Sequence, residues 1–175
     1  MKVYLRNLLV GVCVLAFCRL SVATANMKPV KIFIGTSATW IEKHAAEELQ
    51  KYVEAITGVK WEIISLGPAD KHLRKAFTVA IGRAETNPIV RELIDAGKIR
   101  LSDDFPGQDG LIVQSASLKN RNYLVIGGSQ DVGTLYGVYH YLENACGCGF
   151  FADGEYIPKS REVPLKNISY VEKAR

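Results

Sequence analysis

The most informative hydrophobic pattern lies in the last third of the chain. Residues 123–126 are apolar without alternation, which is typical of a strand covered on both faces. Gly127 and Gly128 follow, and because glycine accepts positive φ the pair predicts a reversal of the chain. Ser129 is the expected N-cap of the next helix. Five apolar residues are expected on one broad face of that helix: Leu135, Tyr136, Val138, Tyr139 and Leu142.

The amino-terminal half contains the clearest helix signal. A strand is predicted over residues 30–34, and Thr39 with Glu42 then forms the capping-box pattern that starts a helix. Gly58 supplies the expected end of this helix. Its apolar stripe comprises Ile41, Ala45, Leu49, Tyr52, Val53 and Ile56. Its predicted solvent face comprises Glu42, Lys43, Glu47, Glu48 and Lys51.

The order of the remaining elements indicates the fold class. Further strands are predicted over residues 61–65, 77–81, 111–113 and 123–126. A second helix is predicted to begin at Asn87-Pro88 and to end at Gly97, and residues 115–121 to form a hairpin-like turn. Consecutive strands without intervening helices disfavour a doubly wound sheet. We therefore predict an α+β fold, an α/β two-layer sandwich whose helices pack on a mixed sheet of about five strands.

Residues 1–25 have the pattern of a signal peptide. Positive charge at Lys2 and Arg6 precedes an apolar run over residues 8–18, and small residues at 23–25 provide a cleavage site. The run is too short to span a bilayer, so we expect no membrane span. The processed chain is expected to begin at Asn26 and to be secreted or periplasmic.

Two further properties of the processed chain follow from that cleavage. Phe17 is bulky where a lipoprotein signal needs a small residue, so we expect no lipid on Cys18. The sequence holds 22 basic and 18 acidic residues, and three of the basic ones leave with the signal peptide: Lys2, Arg6 and Arg19. A chain with 19 basic and 18 acidic residues lacks a nucleic-acid footprint, and we expect no nucleic-acid partner.

Cys146 and Cys148 are the cysteines that remain after processing. One intervening residue is too few for an easy disulfide and misses the two-residue spacer of thioredoxin-like sites. We interpret them as two small apolar side chains near a helix end, with a redox or metal role as the alternative.

A glycine-rich loop before the last helix could cradle a phosphate on its backbone amides. No Lys-Ser/Thr follows it, and the spacing of Gly127, Gly128 and Gly133 misses the dinucleotide pattern. We expect these glycines to serve turns and close packing instead, with Gly133 and Gly137 letting a neighbouring backbone approach. No cofactor is expected.

Other reactive side chains form no complete motif. His140 and Glu143 match half of an H-x-x-E-H zinc motif, but Asn144 stands where the second histidine belongs, so we expect no metal site. Five loop acids could supply a glycosidase pair: Asp103, Asp104, Asp109, Asp153 and Glu155. We interpret them as solvated acids and expect no catalytic residue. Asn167-Ile168-Ser169 matches a glycosylation sequon, a pattern common by chance.

Five segments together carry a family resemblance. They are residues 34–36, 45–58, 79–82, 109–113 and 127–143, the last containing Gly-Gly followed by Gly-x-Leu-Tyr-Gly-x-Tyr and Leu-Glu. In this order they resemble the N-terminal accessory domain of family 67 alpha-glucuronidases. They are also similar to the domain ahead of the barrel in family 20 beta-N-acetylhexosaminidases. The resemblance covers roughly residues 30–160.

The resemblance implies a two-layer α/β domain that packs against a catalytic (β/α)₈ barrel. Residues 26–160 would be this accessory domain, and residues 161–175 a connecting segment towards a barrel that the sequence does not contain. The implied function is that of a non-catalytic N-terminal domain of a secreted glycoside hydrolase of the alpha-glucuronidase type, active in xylan breakdown.

Two alternatives remain open. The parent enzyme could be a beta-N-acetylhexosaminidase, or the chain could be a stand-alone carbohydrate-binding or interaction module. Aromatic residues that could stack on polysaccharide are Trp40, Trp61, Phe150, Phe151 and Tyr156.

Overall fold

The computed structural model describes residues 29–67 and 77–173. The predicted signal peptide and residues 68–76, between the strands predicted at 61–65 and 77–81, lie outside the described residues. The elements, in chain order, are β1 (Val30–Gly35), α1 (Trp40–Thr57), β2 (Glu62–Leu66), β3 (Phe77–Ile81), α2 (Pro88–Asp95), β4 (Leu111–Leu118), β5 (Arg121–Gly128), α3 (Asp131–Asn144), β6 (Gly149–Phe151), β7 (Gly154–Tyr156) and β8 (Ser169–Glu172).

Six strands form one mixed sheet in the order β2-β1-β3-β5-β4-β8. The pairs β1–β2, β1–β3 and β3–β5 are parallel, whereas β4 pairs antiparallel with β5 and with β8. The predicted α+β fold, with helices packed on a mixed sheet, is therefore confirmed, although helices on both faces make three layers rather than the predicted two. The structure adds a sixth strand, β8, from residues that were expected only to connect.

Helices cover both faces of this sheet. Alternate residues of the strands, such as Ile32 and Leu124, lie in a core shared with α1 and α3. Their neighbours, such as Phe33 and Val125, lie in a second core with α2. The central strand β5 is buried on both sides, as its unbroken apolar run predicts.

Helix α1 begins and ends where the sequence predicts. The Thr39 hydroxyl accepts from the Glu42 backbone N–H, and the Glu42 carboxylate accepts from the Thr39 N–H. Gly58 ends the helix at φ 74°. The prediction that Glu42 faces water is wrong, because its side chain is completely buried.

Three details around β5 and α3 differ from the prediction. Gln130 is the N-cap and makes no capping bond, whereas the Ser129 hydroxyl accepts from the Gly107 N–H. Gly127 and Gly128 continue β5 rather than adopt positive φ. Tyr136 is 48% exposed, because the small residues of α3 rather than this tyrosine face the sheet.

The hairpin between β4 and β5 is tighter than predicted. Strand β4 continues through Leu118, so the expected turn over residues 115–121 shrinks to Lys119 and Asn120. Both have positive φ, at 50° and 61°, as a two-residue turn of the favoured hand requires. The polar composition of residues 115–121 predicted a loop, whereas pairing with Tyr123 and its neighbours makes most of them strand.

Candidate functional site

The first candidate site is the crevice at the carboxyl ends of β1 and β3. These neighbouring parallel strands lead to helices on opposite faces of the sheet, β1 to α1 and β3 to α2. Open sheets with parallel strands bind ligands at such a switch point, because the diverging helices leave space there.

Side chains and backbone of the chain itself fill this crevice. The Asn87 amide donates to the carbonyl oxygens of Phe33 and Ile81, at 3.0 and 2.9 Å, and so ties the ends of both strands together. A Cβ atom on Gly35 would lie 1.5 Å from the Thr86 carbonyl oxygen. The loop after β3 therefore rests directly on the end of β1, in the space a ligand would need.

Glu42 lies at the centre of the filled crevice. One carboxylate oxygen accepts from the Arg83 Nε–H at 3.1 Å and from the Thr86 hydroxyl at 2.8 Å, and the other accepts from the Thr39 N–H at 2.9 Å. The carboxylate is completely buried, whereas the Arg83 side chain is 22% exposed. A buried carboxylate whose oxygens are all bonded is typical of a structural ion pair. No sequence pattern predicts this ion pair, because Arg83 lies 41 residues from Glu42.

The glycine-rich loop packs against protein atoms. A Cβ atom on Gly127 would lie 2.5 Å from the Gly82 carbonyl oxygen, and one on Gly128 would lie 2.5 Å from the Gly133 carbonyl carbon. A Cβ atom on Gly133 would lie 2.4 Å from the Gly110 carbonyl oxygen. The glycines thus serve close packing between β5, α3 and the adjoining loops, the role that the sequence favoured over phosphate binding.

Glu155 of the hairpin β6–β7 is held by a tyrosine of α1. The Tyr52 hydroxyl donates to Glu155 Oε1 at 2.7 Å, and the Tyr139 hydroxyl of α3 donates to Glu48 Oε2 at 2.7 Å. Phe150 lies edge-on to both tyrosine rings, with centroids 5.2 and 5.1 Å away. These contacts join the hairpin to both long helices.

The two phenols remain neutral at physiological pH. Burial, reinforced by the bond to Glu48 and its charge, raises the pKa of Tyr139 to about 12. Burial, together with Glu155, likewise raises the pKa of Tyr52 above its ordinary value. Each phenol can therefore act as a donor to its carboxylate, and the arrangement stabilises the hairpin.

The five acids considered for glycosidase chemistry lie on two separate segments. Asp103 and Asp104 are exposed in the loop before β4, where Asp109 adopts φ 54°. Asp153 and Glu155 belong to the hairpin segment. A depression of about 510 Å³ lies between the end of α1 and residues 159–161. Its lining contains none of these five acids; its carboxylate is Glu54.

His140 packs against the last strand. Its Nδ1 lies 3.6 Å from Glu172 Oε2, and its ring meets Tyr170 with centroids 4.9 Å apart. Nε2 is buried and has no hydrogen-bond partner in the structure, while Glu143 is exposed. Within residues 29–67 and 77–173, no three histidine, cysteine or acidic side chains group as metal ligands would. His140 thus contacts β8 rather than a zinc-type ligand set.

The two cysteines are free thiols with little nucleophilic character. Cys148 is buried and Cys146 is partly buried. Burial raises the pKa of the Cys146 thiol to about 12, against a smaller opposite effect of its contact with Tyr141, and burial also raises the pKa of Cys148. Since the thiolate is the reactive form, both side chains behave as small apolar groups at neutral pH.

Of the five aromatic candidates, two serve the core and three face solvent. Trp61 is buried, and Phe150 packs between the two tyrosines described above. Trp40, Phe151 and Tyr156 are 73%, 66% and 61% exposed. Phe151 and Tyr156 both belong to the hairpin β6–β7, a grouping that the sequence did not reveal.

The glycosylation sequon and the apolar character of the helices are two further features that bear on function. Asn167 of the glycosylation sequon is exposed in a turn directly before β8, at φ 59°. No helix in the described part of the chain combines the length and apolar character needed to cross a membrane.

Comparison with known proteins shows a family and a curated relative that this chain resembles. Residues 18–141 match the family described as Glycosyl hydrolase family 67 N-terminus. The curated "UPF0252 protein MJ1282" of Methanocaldococcus jannaschii is 30% identical over 88 residues, which are 50% of this chain and 24% of that protein. The matched part is thus about a quarter of the length of that relative. Because the family match extends over well more than half of the sequence, the resemblance is confirmed, and this chain belongs to the family of glycosyl hydrolase family 67 N-terminal domains.

Proposed function

We propose that the chain is the non-catalytic N-terminal domain of a secreted glycoside hydrolase of the alpha-glucuronidase type, active in xylan breakdown. The family match over residues 18–141 carries this proposal. Beta-N-acetylhexosaminidase is the alternative parent, on the basis of the similar domain ahead of its barrel.

The geometry of the acidic residues supports a non-catalytic role. Glycosidases place two carboxyl groups roughly 5–10 Å apart around a sugar. Glu42 is enclosed by its hydrogen-bond donors, and Glu155 is bonded to Tyr52. The depression beside α1 has Glu54 as its one carboxylate. Hydrolysis would then belong to another domain of the enzyme.

The proposed partner is a catalytic (β/α)₈ barrel that follows this domain in the parent enzyme. Trp40 on α1 and Tyr136 on α3 support a contact through the layer formed by these helices, because large exposed aromatic side chains often mark interaction sites. The polypeptide after β8 would lead towards the barrel.

Export is a further part of the proposal. The charged start, the apolar run and the small residues at 23–25 support cleavage before Asn26 and a secreted or periplasmic location. Mass spectrometry of the protein from its native source tests two points together: signal-peptide cleavage, and whether the domain is part of a longer enzyme. We expect an amino terminus at Asn26 in a polypeptide several times longer than this chain. An intact first residue would contradict export, and a protein ending at Arg175 would contradict the accessory role.

An activity assay tests the non-catalytic role directly. The chain is incubated with aryl glucuronides, glucuronoxylan fragments and chitin fragments, and we expect no sugar release above the buffer rate. Glu155→Gln is the informative variant, and Glu162→Gln, at an exposed acid outside the hairpin, is its control. Turnover that disappears in Glu155→Gln but persists in Glu162→Gln would overturn the proposal.

A further inference from the structure

The hairpin β6–β7 has one face turned to the protein and one turned to solvent. Cross-strand partners in an antiparallel pair share a face, and successive residues alternate. Phe150 pairs with Glu155, and both contact Tyr52. Gly149 pairs with Tyr156 and Phe151 with Gly154, so these four residues form the opposite face, here named the aromatic face.

The inner contacts hold the hairpin in place. An isolated hairpin with three-residue strands would be marginally stable in water. Phe150 packs edge-on against Tyr52 and Tyr139, and Glu155 accepts the Tyr52 hydroxyl bond at 2.7 Å. The backbone of the hairpin is therefore held in place by contacts that do not involve the rings of the aromatic face.

Gly149 allows the Phe151 ring to lie against the hairpin. A Cβ atom on Gly149 would lie 2.5 Å from Phe151 Cε2 and 2.7 Å from Cζ, so the ring covers the backbone of this glycine. Tyr156 is the cross-strand partner of the same glycine. Both rings thus belong to the same face of the hairpin, where Phe151 is 66% and Tyr156 61% exposed.

We propose that the aromatic face binds a neutral pyranose unit of a polysaccharide. The C–H groups of a pyranose form an apolar surface that stacks on an aromatic ring, while its hydroxyls need polar neighbours. Asp153, exposed in the turn of the hairpin, supplies a hydrogen-bond acceptor. The proposal concerns residues of this chain alone and can be tested without the proposed barrel.

The charge of the hairpin selects for a neutral sugar. Residues 149–156 contain the acids Asp153 and Glu155 and no basic residue. The nearby Lys159 ammonium donates to the Ala55 carbonyl oxygen at the end of α1. A uronate carboxylate would meet like charge here, whereas an uncharged xylose or glucose unit would not.

The size of the aromatic face also favours a sugar over a protein partner. Stable protein interfaces bury about 800 Å² on each partner. An aromatic side chain buries only about 150–250 Å², so two rings fall short of that area but cover one or two sugar rings.

Titration calorimetry of the full chain with neutral xylo-oligosaccharides tests the proposal, with polygalacturonate fragments as the acidic comparison. We expect saturable binding of the neutral ligand and at least tenfold weaker binding in Phe151→Ala and in Tyr156→Ala. Tyr136→Ala removes an exposed aromatic ring outside the hairpin and should bind as the parent chain does. The thermal midpoint of each variant serves as the folding control, since the removed rings are largely exposed.

A second variant probes the geometry of the face. Gly149→Ala displaces the Phe151 ring without removing an aromatic group, and we expect it to weaken binding as well. Absence of neutral-sugar binding by the parent chain would overturn the proposal. So would tighter binding of the acidic fragments, equal binding by all variants, or self-association that Phe151→Ala abolishes.

Discussion

Glu42 caps α1 through contacts with a residue three positions away, but its burial depends on residues more than 40 positions away in the chain. Its place three residues after Thr39 makes it part of the capping box, which the sequence alone predicts. Its carboxylate also meets Arg83 and Thr86 from the loop after β3. The same side chain therefore begins α1 and fixes the crevice between β1 and β3.

The two members of this ion pair should differ in their contribution to stability. Arg83→Met leaves a completely buried carboxylate with neutral donors only, and we expect a loss of about 3–5 kcal/mol in the free energy of unfolding. Glu42→Gln leaves a guanidinium that still reaches water, and we expect a loss of about 1–3 kcal/mol. Urea unfolding of both variants measures the difference. A larger loss for Glu42→Gln would contradict this account.

Tyr139 should make the protein sensitive to alkaline pH. Its pKa is about 12 in the folded chain against an ordinary value of 10.0. Between these values the unfolded chain has released the phenolic proton that the folded chain retains, so stability is full below pH 10 and falls as pH rises towards 12. Tyr52 contributes with the same sign.

Urea unfolding at about pH 9 and about pH 11 measures this dependence. Tyr139→Phe should be less stable at the lower pH, because Glu48 Oε2 loses the hydrogen bond from the tyrosine, but should lose less stability on the rise in pH. The comparison with the parent chain removes the contribution of lysines that titrate in the same range. An identical pH dependence in both proteins would show that Tyr139 ionises as freely in the folded state as in the unfolded one.

At the scale of elements, the caps and the helix stripe could be predicted because they depend on residues within a few positions. Thr39, Gly58 and Asn87 act in the structure as their sequence contexts predict. The N-cap of α3 could not, since the Ser129 hydroxyl bonds to Gly107, 22 residues away. The glycines of α3 are an intermediate case: their spacing predicted close packing, but not which backbone they contact.

Two glycines of α3 permit a matched test of close packing. A Cβ atom on Gly133 would lie 2.4 Å from the Gly110 carbonyl oxygen, which belongs to the backbone and cannot easily move. One on Gly137 would lie 3.0 Å from Ile126 Cγ2, a side-chain atom that can shift. Alanine favours the helix by about 1 kcal/mol at either site. We expect Gly133→Ala to lose about 1–3 kcal/mol and Gly137→Ala to be clearly less destabilising.

Thermal and urea unfolding of the two variants give this comparison. Both positions lie in the same helix, Gly133 in its first turn and Gly137 one turn further, so their difference reports mainly the contact with the sheet and the adjoining loop. Equal stabilities would show that the loop around Gly110 moves aside and that close packing there is not limiting.

At the scale of the whole molecule, the order of strands and helices gave the fold class but not the arrangement of the sheet. The pattern of residues 123–126 identified a central strand because burial on both faces requires an unbroken apolar run. Strand β8 has one buried neighbour, Ile168, and mostly exposed residues, so no periodicity distinguished it from a connection. The hairpin β6–β7 was missed for the same reason, since its strands are three residues long.

Only some properties of the candidate site residues could be predicted from the sequence. The half zinc motif at His140 was recognised as incomplete, and the structure places that side chain against Tyr170 and Glu172 of β8. The five acids could be named but not positioned, because Tyr52 and Glu155 lie 103 residues apart in the chain. Buried ion pairs and clusters of exposed aromatic side chains depend on tertiary contacts, so residue type alone does not predict them.

The last strand and the turn before it should contribute to the stability of the whole domain. Ile168 is 7% exposed in the core shared with α1 and α3, whereas Val171 in β8 is 46% exposed. We expect Ile168→Ala to lose about 2–4 kcal/mol of unfolding free energy and Val171→Ala to stay within about 0.5 kcal/mol. Urea unfolding measures both. If residues 161–175 only connected this domain to a barrel, both variants would be as stable as the parent chain. A loss confined to Ile168→Ala would instead show that the folding unit extends at least to Ile168, because an apolar side chain can stabilise only the core that it fills.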